Sequence, residues 1–245
     1  MAGTPPQRAV IAHRGASAYA PEHTFAAYDL AIAMGADVLE LDIRLTSDRR
    51  ALVVHDATLL RTCGVPAAVA EMRMEDLELM SPAVRPLSLE DVLRRYGSEV
   101  GYLIDLKDPS PPVEREVADV LGRFDCNHVV QVQAFRRASL LRMRRIAPHL
   151  ALAQLYPMRM PARLIEADLL RVSATVGAIA PQSASVDAEL IAAAHDHGLR
   201  VQPWTVNDPV QIERLLQLGV DGVITDAPDL VRSATMTLNM SAAAA

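Results

Sequence analysis

The chain has 245 residues, 51% of them hydrophobic and 22% charged, enough apolar material for one large core. Its net charge of -6 and its 4% of aromatic residues exclude a basic, base-stacking nucleic-acid surface, and no apolar run nears the roughly 18 residues needed to cross a bilayer. The opening MAGTPPQRAV has neither the apolar segment nor the basic flank of a secretory signal, so a cytoplasmic protein is expected, with Cys63 and Cys126 reduced.

In chain order, the first β-rich run is AVIAH (9–13), followed by helical apolar spacing in TFAAYDLAIAMG (24–35) and the strand DVLELDI (37–43). An extra strand at ALVVHD (51–56) opens a stretch longer than a plain repeat. Residues 57–100, with helices near MRMEDLELM and SLEDVLRRYG, read as an insertion between the second and third barrel strands. The strand GYLIDL (101–106), the helix PVEREVADVLGRF (112–124), the strand HVVQVQAF (128–135), the helix SLLRMRRIAPH (139–149) and the strand LALAQLY (150–156) follow. The series closes with VGAIAP (176–181), the helix DAELIAAAHDHG (187–198), LRVQPWTV (199–206), the helix DPVQIERLLQLG (208–219) and GVITD (222–226). Strand–helix alternation implies parallel strands, and eight such units in 245 residues predict a (β/α)8 TIM barrel, for which about 250 residues is typical. The competing open doubly wound sheet would carry a glycine-rich phosphate turn early in the chain, and none is present. Residues 1–235 are expected to form this single domain and 236–245 a flexible tail.

Side chains along a strand alternate between the barrel interior and the helices. VLELDIR therefore puts Glu40, Asp42 and Arg44 on one face, and the next barrel strand puts Asp105 and Lys107 on one face. Three carboxylates at the C-terminal ends of neighbouring strands, where barrel enzymes keep their active sites, call for a divalent cation. All-oxygen ligation favours Ca2+ or Mg2+ over Zn2+. The bland alternative is ion pairing, Asp42 with Arg44 or Asp105 with Lys107. His13 and His55 end strands beside the acid cluster and suit an acid–base pair. His195 and His197 sit at a helix C-terminus, and His128 and His149 fall at strand starts, on the stability face. Arg14 and Lys107 supply positive charge for a phosphate. Trp204 is either ordinary core or a wall of the substrate pocket.

His13-Arg14-Gly15, Pro21-Glu22-His23-Thr24, Glu40-x-Asp42, Thr46-x-Asp48, His55-Asp56, Pro86-Leu87-Ser88-Leu89-Glu90, Asp105-x-Lys107, Trp204-Thr205-Val206-Asn207 and Asp226-x-Pro228-Asp229 form an ordered set across nearly the whole chain. In this the sequence resembles the glycerophosphodiester phosphodiesterase family. The resemblance implies a TIM barrel that hydrolyses glycerophosphodiesters to an alcohol and glycerol 3-phosphate with one divalent cation. It further implies Glu40, Asp42 and Asp105 as metal ligands, His13 and His55 as the acid–base pair, and Arg14 and Lys107 as phosphate contacts. Three positions depart from the family's usual residues: Asp105 stands for Glu, His23 for Asn and Ala134 for Ser.

The mechanism expected on this basis has His13 take the proton of the glycerol 2-hydroxyl and His55 protonate the leaving alcohol, through a cyclic 1,2-phosphate, with direct attack by water as the alternative. A lysophospholipase D-like enzyme with an apolar entrance in the insertion, and a non-catalytic phosphoester-binding barrel, are the rival functions. The partner in each case is a small phosphodiester, not nucleic acid, and the oligomeric state is left open.

Overall fold

The computed structural model describes residues 8–107 and 112–243, so the first seven residues, read above for a signal, and the last two of the expected tail lie outside the described residues. It begins with β1 (Ala9–Ala12), α1 (Phe25–Ala33), β2 (Val38–Leu45) and the short β3 (Ala51–Val53). The helices α2 (Leu60–Cys63), α3 (Met74–Glu78) and α4 (Leu89–Tyr96) then lead to β4 (Gly101–Leu106). Regular alternation resumes with α5 (Pro112–Phe124), β5 (Val130–Ala134), α6 (Arg137–Ile146) and β6 (Ala151–Leu155). After α7 (Ala162–Glu166) and α8 (Leu169–Ser173) come β7 (Ala178–Ala180), α9 (Ala188–Asp196), β8 (Arg200–Val201), α10 (Pro209–Leu218), β9 (Gly222–Thr225) and α11 (Pro228–Ala243).

Eight of the strands pair in parallel in the order β8-β7-β6-β5-β4-β2-β1-β9, while β3 joins β2 antiparallel at the rim. Between β9 and the β8 segment, backbone bonds from Asp221 N–H to Val201 (2.9 Å), Ile224 N–H to Pro203 (3.0 Å) and Val206 N–H to Ile224 (2.9 Å) draw the ends together. The expected eightfold barrel is therefore present. Its interior holds Ala9, Ile11, Leu103, Leu155, Ala180 and Ile224, and the larger apolar cluster lies between strands and helices. That division is the two-residue period of the strands made visible: Ile11 and Leu103 point inward, Val10 and Ile104 outward.

Two details of the sequence reading change. The expected insertion of 57–100 is shorter, because α4 buries Leu89, Val92, Leu93 and Tyr96 in the main core as the helix between β2 and β4. The insertion proper keeps a small core of its own, Leu52, Val54, Leu59, Val69 and Leu77. Residues 236–243 do not leave the body as a tail but extend α11 without a break. Their Met, Leu and Ala content favours helix, and Leu238 packs against the main core.

Candidate active site

The C-terminal mouth of the barrel gathers the ionisable residues. Strand β1 ends at Ala12 and the chain turns at once through His13, Arg14 and Gly15, with positive φ of 60° at Arg14 and 85° at Gly15. A β-carbon on Gly15 would sit 2.8 Å from Ala27, so only glycine lets this turn lie against α1. The turn is pinned from several sides. His13 N–H donates to the Thr225 carbonyl (2.8 Å), Arg14 N–H to Glu40 Oε2 (3.0 Å) and His23 N–H to the Arg14 carbonyl (3.0 Å).

Glu40, Asp42 and Asp105 are buried, and Asp42 faces Asp105 in register across β2 and β4. Lys107 lies between the last two, its Nζ 2.6 Å from Asp105 Oδ2 and 3.0 Å from Asp42 Oδ1. The ion pair that was the bland alternative for Asp105 thus exists, yet it leaves Asp105 Oδ1 buried without a partner and Asp42 Oδ1 with the Lys107 ammonium alone. An orphaned carboxylate oxygen beside two further buried carboxylates fits a hard cation, since such an atom is costly to bury unmatched. Arg14 Nε pairs with Asp42 Oδ2 at 3.1 Å without hydrogen-bond geometry, and its Nη1 donates to Glu22 (3.2 Å). Among the described residues a group of potential ligands includes one not expected as such: His23, Glu40 and Asp42 offer atoms within 4.8 Å of one another.

Burial dominates the electrostatics. It pushes the Glu40 carboxyl well above the usual range, with the Asp42 charge adding to the effect. Burial likewise carries Asp105 up to about 6 against the pull of Lys107. For Asp42 burial alone would raise the value, but the His23 hydrogen bond and the charges of Lys107 and Arg14 hold it well below. Lys107 resists its own burial because Asp105, Asp42 and Glu40 surround it, and its pKa is raised.

His13 and His55 are built alike. His13 Nδ1 is 2.7 Å from Asp226 Oδ1, and His55 Nδ1 is 2.7 Å from Asp56 Oδ1. An ionised carboxylate only accepts, so each neutral imidazole carries its proton on Nδ1 and presents a bare Nε2. Asp226 is further held by Ser17 Oγ (2.9 Å) and Asn207 Nδ2 (2.6 Å), and Asp56 by Arg61 Nε (2.7 Å). Arg44, expected beside the acids, donates from Nε to the His55 carbonyl (2.8 Å) and so fixes that residue from β2. Burial pulls the His55 pKa below the ordinary histidine value, with Asp56 opposing.

Trp204 donates its indole N–H to the Ala180 carbonyl (2.9 Å) and meets Phe135 edge to face at 5.8 Å. Phe135 is 43% exposed and lies 6.0 Å from Lys107 Nζ, so Trp204, which packs against the barrel-interior cluster, has a second aromatic ring beside it. Asp226 and Asp56 were present in the motifs but carried no role. The adjacency of Asp56 to His55 was a usable signal, whereas Asp226 meets His13 only through closure of the barrel across 213 residues. A cavity of about 610 Å3 opens beside this mouth along Glu22, His23, Arg61, Val84 and Leu87. Another of about 280 Å3, lined by Ile11, Leu103, Gln131 and Arg200, includes none of the candidate residues.

The chain is similar to known proteins over nearly its whole length. Residues 13–230 match the model of the glycerophosphoryl diester phosphodiesterase family. Similar relatives include YhdW of Bacillus subtilis (strain 168), 35% identical over 233 residues, covering 91% of this chain and 96% of that protein. A glycerophosphodiester phosphodiesterase of the same organism is 30% identical over 252 residues, covering 93% and 86%. Among solved structures, an Oleispira antarctica phosphodiesterase in complex with the product sn-glycerol-3-phosphate superposes with a TM-score of 0.78 over 94% of this chain and 97% of that one, and its 23% identity speaks for the fold alone. With the family match running over residues 13–230 and two relatives at least 30% identical over nearly the whole chain, the chain belongs to the glycerophosphoryl diester phosphodiesterase family.

Proposed function

We propose that the protein hydrolyses glycerophosphodiesters to an alcohol and glycerol 3-phosphate. Two histidines brought from different strands to one mouth, each with Nδ1 held by a carboxylate at 2.7 Å, carry this reading. Glu40, Asp42 and Asp105 would hold a hard divalent cation, Ca2+ or Mg2+, which when bound supplies Lewis-acid stabilisation of charge developing on the phosphate. Arg14 and Lys107 bind the phosphate oxygens, Arg14 through its fork and Lys107 as a point charge. Trp204 and Phe135 wall the alcohol side.

His55, drawn toward neutrality by burial, serves better as the base than as the acid. This exchanges the roles expected from sequence alone. His55 Nε2 takes the proton of the attacking hydroxyl as the oxygen–phosphorus bond forms, and His13, protonated and steadied by Asp226, gives its Nε2 proton to the departing alcohol oxygen. With the glycerol 2-hydroxyl as nucleophile the product is a cyclic 1,2-phosphate. Water then opens the ring with the histidine roles reversed, and direct attack by water needs only one such exchange.

His13→Ala and His55→Ala should each lower turnover of glycerophosphocholine by about 100-fold or more. Near-normal turnover in both would refute the assignment, and ready cleavage of a substrate lacking the 2-hydroxyl would refute the cyclic route. A second reading, release of a headgroup from a lysophospholipid, draws support from the 610 Å3 cavity, whose wall includes Val53, Val54, Val84 and Leu87. Preference for lysophosphatidylcholine over glycerophosphocholine in the same assay would favour it.

A further inference from the structure

His23 is the one residue near the acid cluster whose two ring nitrogens are both bound by buried groups. Its Nε2 is 2.9 Å from Asp42 Oδ2 and its Nδ1 is 2.8 Å from the Tyr28 hydroxyl. His23 is 5% exposed, Asp42 and Tyr28 are fully buried, and no water is needed to complete the set. The direction of every bond follows from what each group can give. An ionised Asp42 oxygen only accepts, so Nε2 carries the hydrogen. The neutral ring then has a lone pair at Nδ1, and the Tyr28 hydroxyl donates into it. Reversing either bond would leave a buried donor facing a donor or an acceptor facing an acceptor.

We infer that His23 is a positioning residue for the proposed metal site and not one of its ligands, and this rests on the metal-dependent reading above. The nitrogen nearest the acids is occupied by its own hydrogen, so it cannot offer electrons to an ion. What it does is hold Asp42 Oδ2, which leaves Asp42 Oδ1 as the oxygen turned toward Lys107 and Asp105. Glu40 is held in a similar way, since its Oε2 accepts from the Arg14 backbone. Outer partners of this kind fix the orientation of ligands and are commonly worth 10- to 100-fold in metal affinity. The consequence for specificity is definite. With His23 locked, the site remains all-oxygen and favours Ca2+ or Mg2+ over ions that seek imidazole.

The backbone supports the placement. His23 has φ of 55°, in the left-handed region, which is uncommon for a residue other than glycine though histidine enters it more often than most. Its N–H bond to the Arg14 carbonyl and the Thr24 cap of α1 hold that conformation. Tyr28 lies on the first turns of α1, so the same helix fixes both the ring and the hydroxyl that sets its tautomer.

The test reads the tautomer directly. In long-range proton–nitrogen spectra of the 15N-histidine-labelled protein, assigned with His23→Asn, His23 should show a protonated Nε2 without metal and keep it after saturation with CaCl2. A bare Nε2 in the free protein, or its deprotonation on Ca2+ binding, would overturn the inference. By calorimetry His23→Phe should bind Ca2+ about 10- to 100-fold more weakly than the wild type, and His23→Asn, whose amide N–H offers a donor, should recover part of the loss. Unchanged affinity in a folded His23→Phe would also overturn it. If the wild type binds neither Ca2+ nor Mg2+, the metal reading itself fails, an outcome separable from this one because the metal-free spectrum reports the tautomer alone.

Discussion

Replacing Asp226 by Asn removes one charge and almost no volume, so it isolates what the carboxylate does for His13. In the native structure both oxygens accept: Oδ1 from His13 Nδ1 (2.7 Å) and Ser17 Oγ (2.9 Å), Oδ2 from Asn207 Nδ2 (2.6 Å). An amide has only one oxygen. If it faces His13, its NH2 meets the NH2 of Asn207, and if it faces Asn207, its NH2 points at His13 Nδ1 and selects the tautomer with hydrogen on Nε2. Either way one hydrogen bond to a charged acceptor is lost, worth about 1.5–3 kcal/mol, or roughly 10- to 150-fold in rate if it acts on the transition state. Burial would raise the Asp226 pKa, but the bonds from His13, Asn207 and Ser17 hold it low, so the wild-type group is ionised across the working range. Initial rates of choline release from glycerophosphocholine, paired with thermal unfolding, provide the assay. The expected result is a fall in kcat of at least 10-fold with a much smaller effect on KM. A kcat within threefold of the wild type, in a protein that unfolds normally, would refute the orienting role.

The acid limb of the kcat/KM–pH profile should have its midpoint below 6.5, because burial lowers the His55 pKa and a base works only when unprotonated. Asp56 opposes that lowering, so Asp56→Asn should move the limb to still lower pH, and a limb that stays in place would show that His55 is not the base. Gly15→Ala should cost about 2 kcal/mol or more in urea unfolding, since its β-carbon would meet Ala27 at 2.8 Å with φ of 85°. Arg142→Ala should destabilise by about 3 kcal/mol, because it leaves the fully buried Glu114 carboxylate, 2.8 Å from the lost guanidinium, without its partner; a loss under 1 kcal/mol would show that the charge is satisfied otherwise.

What could be read from the chain alone was what strand periodicity and local motifs carry. Strand–helix alternation over 245 residues set the barrel, and Glu40 and Asp42 two residues apart, Asp105 and Lys107 two residues apart, and His13 and His55 near strand ends were the residues expected at its mouth. What stayed hidden depends on contacts between distant segments. Nothing around Asp226 points to His13 until β9 closes beside β1. Phe135 ends the run HVVQVQAF, and nothing there points to Trp204 until the fold sets the two rings 5.8 Å apart. The helix at 89–96 looked like part of an insertion because the stretch before it is long. Its membership of the barrel rests on Leu89, Val92 and Leu93 reaching the main core, which spacing along the chain does not specify. His23 showed itself only as an unusual residue in a motif. The bonds to Tyr28 and Asp42 give it a role.

Phosphorus NMR reads out metal-dependent diester cleavage at the mouth of this barrel. Purified protein with glycerophosphocholine should convert the diester signal to that of glycerol 3-phosphate in Ca2+ or Mg2+ and stop when a chelator is added. Unchanged diester with either ion, or conversion that continues at full rate in the chelator, would rule out a metal-dependent phosphodiesterase.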